Sequence, residues 1–157
     1  MKVYIAKTKY VGKGIFALKP IKKDDVIFIV KGKIVKSGFG PQENKHPNMI
    51  GYNNKAWIMP FKSNPLYYLN HSCNPNAGIK GKVTFVAMKP IKKDEEIMLD
   101  YSIAEEDPAW SMKCRCGNRN CRKVIRIIQF LDRNLFDKYK IYIPKYLRIL
   151  YLKYHKL

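Results

Sequence analysis

The residues with the clearest chemical potential are the four cysteines. Cys114, Cys116 and Cys121 form C-x-C-x4-C, and Cys73 lies 41 residues before Cys114, inside Asn70-His71-Ser72-Cys73-Asn74-Pro75-Asn76. Four thiolates suit one tetrahedral zinc ion. Cys114 and Cys116 are close enough in sequence to chelate a single ion, and Gly117 eases the turn toward Cys121. Two disulfides are one alternative, and four unconnected buried thiols are another. Disulfides belong to oxidising compartments, whereas the N-terminal run Met1 to Lys7 has no apolar stretch long enough for a signal peptide. Buried thiols would sit in an apolar run, but C-R-C-G-N-R-N-C is polar and charged. The spacing therefore favours zinc, and because its ligands come from two distant segments, metal binding would fold the later one onto the body. A hydrolytic Ser/His/Asp set is not evident, since the three histidines are scattered at positions 46, 71 and 155.

The elements that must position these residues are short. The 157 residues suit one compact domain, and a hydrophobic content of 46% allows a real core. Strands are expected at Lys2–Ile5, Ile15–Ala17, Val26–Val30, Lys33–Val35, Ala56–Met59 and Val83–Ala87, all β-branched or aromatic and separated by Gly, Pro or Asn. Residues 38–54 are turn-rich and expected to be irregular. One segment repeats: Ala17-Leu18-Lys19-Pro20-Ile21-Lys22-Lys23-Asp24-Asp25-Val26-Ile27 returns as Ala87-Met88-Lys89-Pro90-Ile91-Lys92-Lys93-Asp94-Glu95-Glu96-Ile97. Each copy reads as strand, Pro- and Lys-rich turn, strand. A single recurrence does not make a solenoid. No long helical period precedes about residue 123. After Pro144, which could open a helix, Leu147, Leu150, Tyr151 and Tyr154 share one helical face. That face is expected to dock the helix on the body, with a nucleic-acid or partner helix as the sharper alternative.

Charge is the other strong signal. Thirty-one Lys and Arg oppose 12 Asp and Glu, for a net +19. Such a field attracts nucleic acid or an acidic partner, and it is equally what a lysine-rich solvated surface produces. No apolar run reaches the roughly 20 residues of a membrane-spanning helix.

Three segments together resemble the SET-domain family. Gly12-Lys13-Gly14-Ile15-Phe16-Ala17 is similar to its first glycine motif, Tyr68 to Asn76 closely matches its N-H-S-C-x-P-N motif, and Glu95 to Tyr101 is similar to its last core motif. The cysteine triad then falls where the family carries a post-SET zinc segment. The resemblance implies a mostly β SET fold of several small sheets with a knot-like crossing, followed by a zinc segment and a helix. It divides the chain into a SET core over 1–103, a zinc segment over 110–125 and a basic, Tyr-rich helical extension over 126–157.

The resemblance also implies an S-adenosylmethionine-dependent protein-lysine N-methyltransferase with one structural zinc on Cys73, Cys114, Cys116 and Cys121. Lys13, Gly14, Ile15 and Phe16 would lend backbone groups to the cofactor, since a bare glycine backbone approaches a ligand closely. Asn70 and His71 would grip it, with Tyr68 packed nearby. Tyr101 would be the catalytic residue, its hydroxyl at the base of a narrow lysine channel, and Asp100 would be structural. Leu99 and Tyr52 are the channel candidates. The sequence departs from the family at Lys13, between the motif glycines where many members have an aromatic, at Tyr67 where many have Arg, and at Leu99, where Phe or Tyr often limits the number of methyls added. Leucine there implies tolerance of di- or trimethylation.

The expected partner is a protein with a target lysine, such as a histone or another DNA-associated protein, with nucleic acid or an acidic partner for the basic surface and no membrane. The location implied is cytoplasmic, nuclear or nucleoid-associated rather than secreted. The competing reading is a zinc-stabilised basic binding module that keeps the fold without turnover.

Overall fold

The computed structural model describes residues 2–9, 12–36, 49–53 and 56–157. Twelve short strands dominate these residues. They are β1 (Val3–Lys7), β2 (Lys13–Ala17), β3 (Val26–Ile29), β4 (Gly32–Lys36), β5 (Ile50–Asn53), β6 (Ala56–Pro60), β7 (Asn70–His71), β8 (Ala77–Lys80), β9 (Thr84–Ala87), β10 (Glu96–Leu99), β11 (Ser111–Lys113) and β12 (Val124–Arg126). Two helices close the chain, α1 (Arg133–Tyr139) and α2 (Lys145–Tyr154). The strands form one larger sheet in the order β1-β2-β10-β8-β9-β3, with β7 also paired to β10, a three-stranded sheet β4-β6-β5, and a two-stranded ribbon β11-β12. The fold is mostly β, as expected, and each expected strand exists with its ends moved by a residue or two.

The repeated segments build the centre together. Ile21 and Ile91 exchange both backbone hydrogen bonds, each at 2.9 Å. Ala17 N–H donates to Glu95 O and Ala87 N–H to Asp25 O, both at 3.0 Å, while Asp94 N–H donates to Ala17 O and Asp24 N–H to Ala87 O, both at 2.8 Å. Every bond has a counterpart displaced by the repeat offset, so the two copies embrace about a local pseudo-twofold axis. Asp24 and Asp94 hold equivalent left-handed backbone conformations, φ 68° and 61°, a conformation short polar residues tolerate better than most.

Strand β10 is the hinge of the architecture. It pairs antiparallel with β2 through Ile97 and Ile15. It then pairs in parallel with β7, Leu99 facing His71, and with β8, Leu99 facing Ala77. The loop from His71 to Ala77 therefore crosses β10 from one side to the other. This is the knot-like crossing, and Ser72 N–H to Leu99 O (2.9 Å) and Asn76 N–H to Met98 O (3.2 Å) tie it shut.

Two sequence expectations are corrected. The segment expected to be irregular ends in a real strand, β5, paired with β6 through Ile50 and Ile58; residues 38–48 and 54 of it lie outside the described set. The helical stripe also splits. Leu147 and Tyr151 are buried at 0% and 1%, which docks α2 on the core, whereas Tyr154 is 54% exposed. Pro144 sits one position before the helix, with extended ψ of 138°. Among the described residues, no helix is long and apolar enough to cross a membrane.

Candidate active site and metal cluster

The crossing brings three sequence-distant features together: a glycine cradle, an apolar cavity and a cysteine cluster. The cradle lies where β2, β7 and β10 meet. Asn70 Nδ2 donates to Lys13 O at 3.1 Å and to Glu96 Oε1 at 2.8 Å. A Cβ on Gly14 would come within 2.5 Å of Glu96 Oε1, 2.6 Å of the Thr8 methyl and 2.9 Å of Asn70 Nδ2. Any larger residue would push these side chains apart. The cradle exposes a backbone carbonyl, a side-chain amide and a carboxylate, donors and acceptors that suit the amino and sulfonium end of S-adenosylmethionine. The chain offers backbone rather than side chains from this segment. Ile15 is fully buried in the core, and Phe16 stacks on Tyr4 with ring centroids 5.7 Å apart. Tyr68 is half-buried and packs against the core beside Tyr67.

Tyr101 stands at the junction of cradle and cavity. Its hydroxyl donates to Leu69 O at 2.6 Å, which leaves the phenolic oxygen as an acceptor. Burial, with a smaller contribution from the Glu96 carboxylate, pushes the group up to about 12, so the proton stays on. The cavity measures about 280 Å³ and is lined mainly by apolar side chains, among them Leu66, Leu69, Leu99, Trp110 and Met112, with Tyr101 and Glu105 as its polar members. Its lining joins the core motifs to the segment just before the cysteine triad. Tyr52 is not among these residues. Lys82 Nζ lies 4.5 Å from the centre of its ring. The lining from this part of the chain is instead Met49 and Ile50, because a register shift between Gly51 and Asn53 breaks the alternation of β5.

The third feature is a buried donor cluster. One ligand atom each from His71, Cys73, Cys114 and Cys116 lies within 4.8 Å of the others. Cys73 Sγ and Cys114 Sγ are 3.7 Å apart. Cys121 packs against the same cluster, its Sγ directed at Cys114 O at 3.8 Å. Gly117, at φ 71°, makes the turn between Cys116 and Cys121. Nitrogen and sulfur donors at this density fit zinc. Burial raises the Cys73 and Cys114 thiols. Burial acts to raise Cys116 as well, but backbone hydrogen bonds from Cys73 and Asn118 and the Asn118 side-chain amide outweigh it and bring Cys116 down to about 6. A thiolate is thus ready in the cluster, and its neighbours need a cation to lose their protons.

His71 links the cluster to Tyr101. Its Nδ1 accepts the Tyr101 backbone N–H at 3.1 Å, and its Nε2 faces Cys73 Sγ at 3.4 Å. Burial pulls the ring down to about 4, so it is neutral. The 3.8 Å approach of Nδ1 to Asp100 Oδ1 is accordingly no ion pair. Asp100, fully buried, accepts instead from Ser102 N–H at 3.1 Å and from the Arg122 guanidinium. The Arg122 backbone N–H reaches Cys73 Sγ at 3.4 Å. Glu96, Arg122, Trp110 and Met112 are site residues that motif reading passed over. The signal for the last three was their adjacency to the cysteine triad.

Comparison with known proteins places this architecture. The SET domain family model matches residues 12–102, and the chain belongs to the SET-domain family. It is 29% identical over 136 residues to human histone-lysine N-methyltransferase 2D, covering 77% of this chain and 2% of that protein. It is 30% identical over 137 residues to histone-lysine N-methyltransferase ASHR3 of Arabidopsis thaliana, covering 77% of this chain and 27% of that protein. The chain therefore spans a small fraction of the curated relatives it matches. In structure it resembles the methyltransferase domain of human SETMAR, with a TM-score of 0.64, 22% identity, and coverage of 80% of this chain and 58% of that one.

Proposed function

We propose that the protein is an S-adenosylmethionine-dependent protein-lysine N-methyltransferase acting on a histone or another DNA-associated protein, with one structural zinc. The observation that carries this reading is the position of Tyr101, between a glycine cradle of cofactor chemistry and an apolar cavity of lysine chemistry. Bound S-adenosylmethionine supplies a methyl group on a sulfonium. Lys13 O, Asn70 and Glu96 would hold it, and the Glu96 carboxylate gives that end of the site the negative charge a sulfonium requires.

The chain's own residues then have a restricted task. The acceptor must be a neutral amine, yet free lysine has a pKa near 10.4 and only about one in 10³ is neutral at pH 7. Leu66, Leu69, Leu99, Trp110 and Met112 line the cavity with apolar surface, which disfavours the ammonium form. The Tyr101 oxygen, its proton committed to Leu69 O, accepts a hydrogen bond from the amine and aims its lone pair at the cradle. Alignment and desolvation do the work.

For the metal, Cys73, Cys114, Cys116 and Cys121 are the proposed ligands. His71 supports them from outside: with Nδ1 accepting from Tyr101, the ring proton sits on Nε2 and faces Cys73 Sγ. The histone-lysine methyltransferases among the relatives motivate the substrate class and a chromatin-associated location. The test is transfer of labelled methyl from S-adenosylmethionine to core histones and to a native extract, with peptide mapping of labelled bands. Tyr101→Phe should abolish transfer and retain cofactor binding. Transfer undiminished in that variant would overturn the assignment.

A further inference from the structure

A strongly basic enzyme poses an electrostatic problem if its substrate is also basic, because no Coulombic attraction brings them together. The ribbon β11-β12 answers it. Residues 108–131 contain no Asp or Glu, and besides Arg122, which is committed to the buried Asp100, they carry five exposed cations: Lys113, Arg115, Arg119, Lys123 and Arg126. The register sets Met112 opposite Ile125, with Ser111 opposite Arg126 and Lys113 opposite Val124 on the other face. The two faces are completely segregated. Met112 lines the Tyr101 cavity and Ile125 is fully buried against Cys73 and Cys114, whereas Ser111, Lys113, Val124 and Arg126 are all exposed.

The exposed face continues into an aromatic shelf. The Arg126 guanidinium lies over the Phe130 ring at 4.2 Å. Phe130 meets Tyr154 edge-on at 5.7 Å, and both rings are about half exposed, 47% and 54%. An arginine stacked on an aromatic face keeps the planar fork of N–H donors that suits phosphate.

We infer that the outer face of β11-β12, with Arg126 set on Phe130 and Tyr154, docks the phosphate backbone of duplex DNA. A zinc ion with four thiolates would lower the local charge by two and leave the face strongly positive. Duplex DNA presents about one negative charge per 1.7 Å of its axis, so several of these exposed cations can meet phosphates at once, which an isolated acidic patch does not offer. The position gives the face its use. The ribbon's inner residue Met112 lines the lysine cavity, so DNA on the outer face lies one strand's thickness from the site. DNA would bring a basic enzyme to basic proteins already bound along it. This rests on the methyltransferase reading for its purpose but not for its test.

The test is fluorescence anisotropy of a labelled 20-base-pair duplex between 50 and 200 mM salt, without cofactor. Lys113→Gln/Arg126→Gln should weaken binding at least tenfold and make the plot of log affinity against log salt shallower by about 1.8, from about 0.9 per phosphate contact. Lys113→Glu/Arg126→Glu should weaken it further. Zinc content and thermal midpoint should be unchanged in both, since the side chains are exposed. Lys19→Gln/Lys22→Gln, on the exposed turn of the first repeat, should leave the slope near wild type. Equal losses in the two glutamine pairs, or tighter binding of the single strand than the duplex, would overturn the docking face. Failure of methyl transfer on every substrate would instead strike the enzymatic reading and leave a DNA-binding result intact.

Discussion

Nδ1 of His71 accepts the backbone N–H of Tyr101 at 3.1 Å, and this bond fixes how the imidazole faces the cysteines. A ring nitrogen that accepts cannot carry the proton, so Nε2 carries it. Nε2 then points at Cys73 Sγ as a donor, not as a ligand. Of the two candidate metal sets, three cysteines with His71 or four cysteines, this geometry supports the proposed four-cysteine set. His71→Asn should keep one zinc per chain while weakening cofactor binding, and Cys121→Ser should lose the metal. Metal analysis of both purified variants decides the matter. Loss of zinc in His71→Asn with retention in Cys121→Ser would reverse the assignment.

The Arg122–Asp100 pair is the second link between the cluster and Tyr101. Asp100 is fully buried, and its Oδ2 has no partner, as is true of Arg122 Nε. Removing one member of a buried pair typically costs on the order of 3–5 kcal/mol, because the other charge is left uncompensated. Arg122→Met should therefore destabilise the fold strongly by denaturant melting. Asp100→Asn/Arg122→Met together should recover part of that loss, since no buried charge remains. The double variant should still turn over slowly, because Tyr101 loses the segment that holds it in place.

Much of this was legible in the chain. The strand–turn–strand repeats were visible as segments, yet their mutual pairing was not, because Ile21 and Ile91 meet only through long-range register. Strand β5 escaped because Ile50-Gly51-Tyr52-Asn53 has weak strand character of its own; pairing with β6 imposes it. Tyr52, a channel candidate, is not among the residues that line the cavity, and the register shift beside it cannot be read from alternation. The motifs pointed to Asn70, Tyr101 and Cys73, and the crossing brings their segments together. They did not announce Glu96, whose importance lies in its distance to Asn70 and not in its neighbours along the chain.

Gly14 offers a clean test of the cradle. Gly14→Ala would drive a methyl to within 2.5 Å of Glu96 Oε1 and 2.9 Å of Asn70 Nδ2, so the pair must separate. Cofactor affinity should fall at least tenfold by calorimetry, with little change in the stability of the buried core. Gly12→Ala is the control. Its Cβ meets nothing within 4 Å, but its φ of 50° favours glycine, so that variant should lose about 1 kcal/mol of stability and leave affinity nearly unchanged.

Alkaline pH should unfold the protein sooner than its core would suggest. Burial raises Tyr101, Tyr139 and Tyr142 to about 12 and raises Tyr146 further, with Glu106 and Glu105 adding to it. The folded state thus holds these protons where the unfolded chain, titrating near 10, releases them. Their stabilisation is complete below pH 10 and is lost as pH rises from 10 to 12. Tyrosinate absorbance should report a group of tyrosines that ionise together with unfolding. Below pH 10 the rate of transfer should rise with pH as substrate lysine deprotonates, with no falling limb from Tyr101. A decline in rate beginning near pH 9 without unfolding would contradict the protonated hydroxyl.

Leu99 is the residue proposed to set how many methyls fit. It lies in β10 two residues before Tyr101, is 1% exposed, and lines the cavity of about 280 Å³. A lysine that already carries methyls needs both volume and the absence of a fixed water beside its nitrogen. Leucine provides both, since it is smaller than an aromatic and has no hydroxyl. Wild-type enzyme at saturation should therefore yield di- or trimethyl-lysine by mass spectrometry. Leu99→Tyr should add a ring and a hydroxyl to the cavity, reduce the product to monomethyl-lysine, and slow the first transfer less than the later ones. Leu99→Ala should enlarge the cavity, cost roughly 2–5 kcal/mol of stability, and keep multiple methylation. Only monomethyl-lysine from the wild-type enzyme would show that another residue limits the channel.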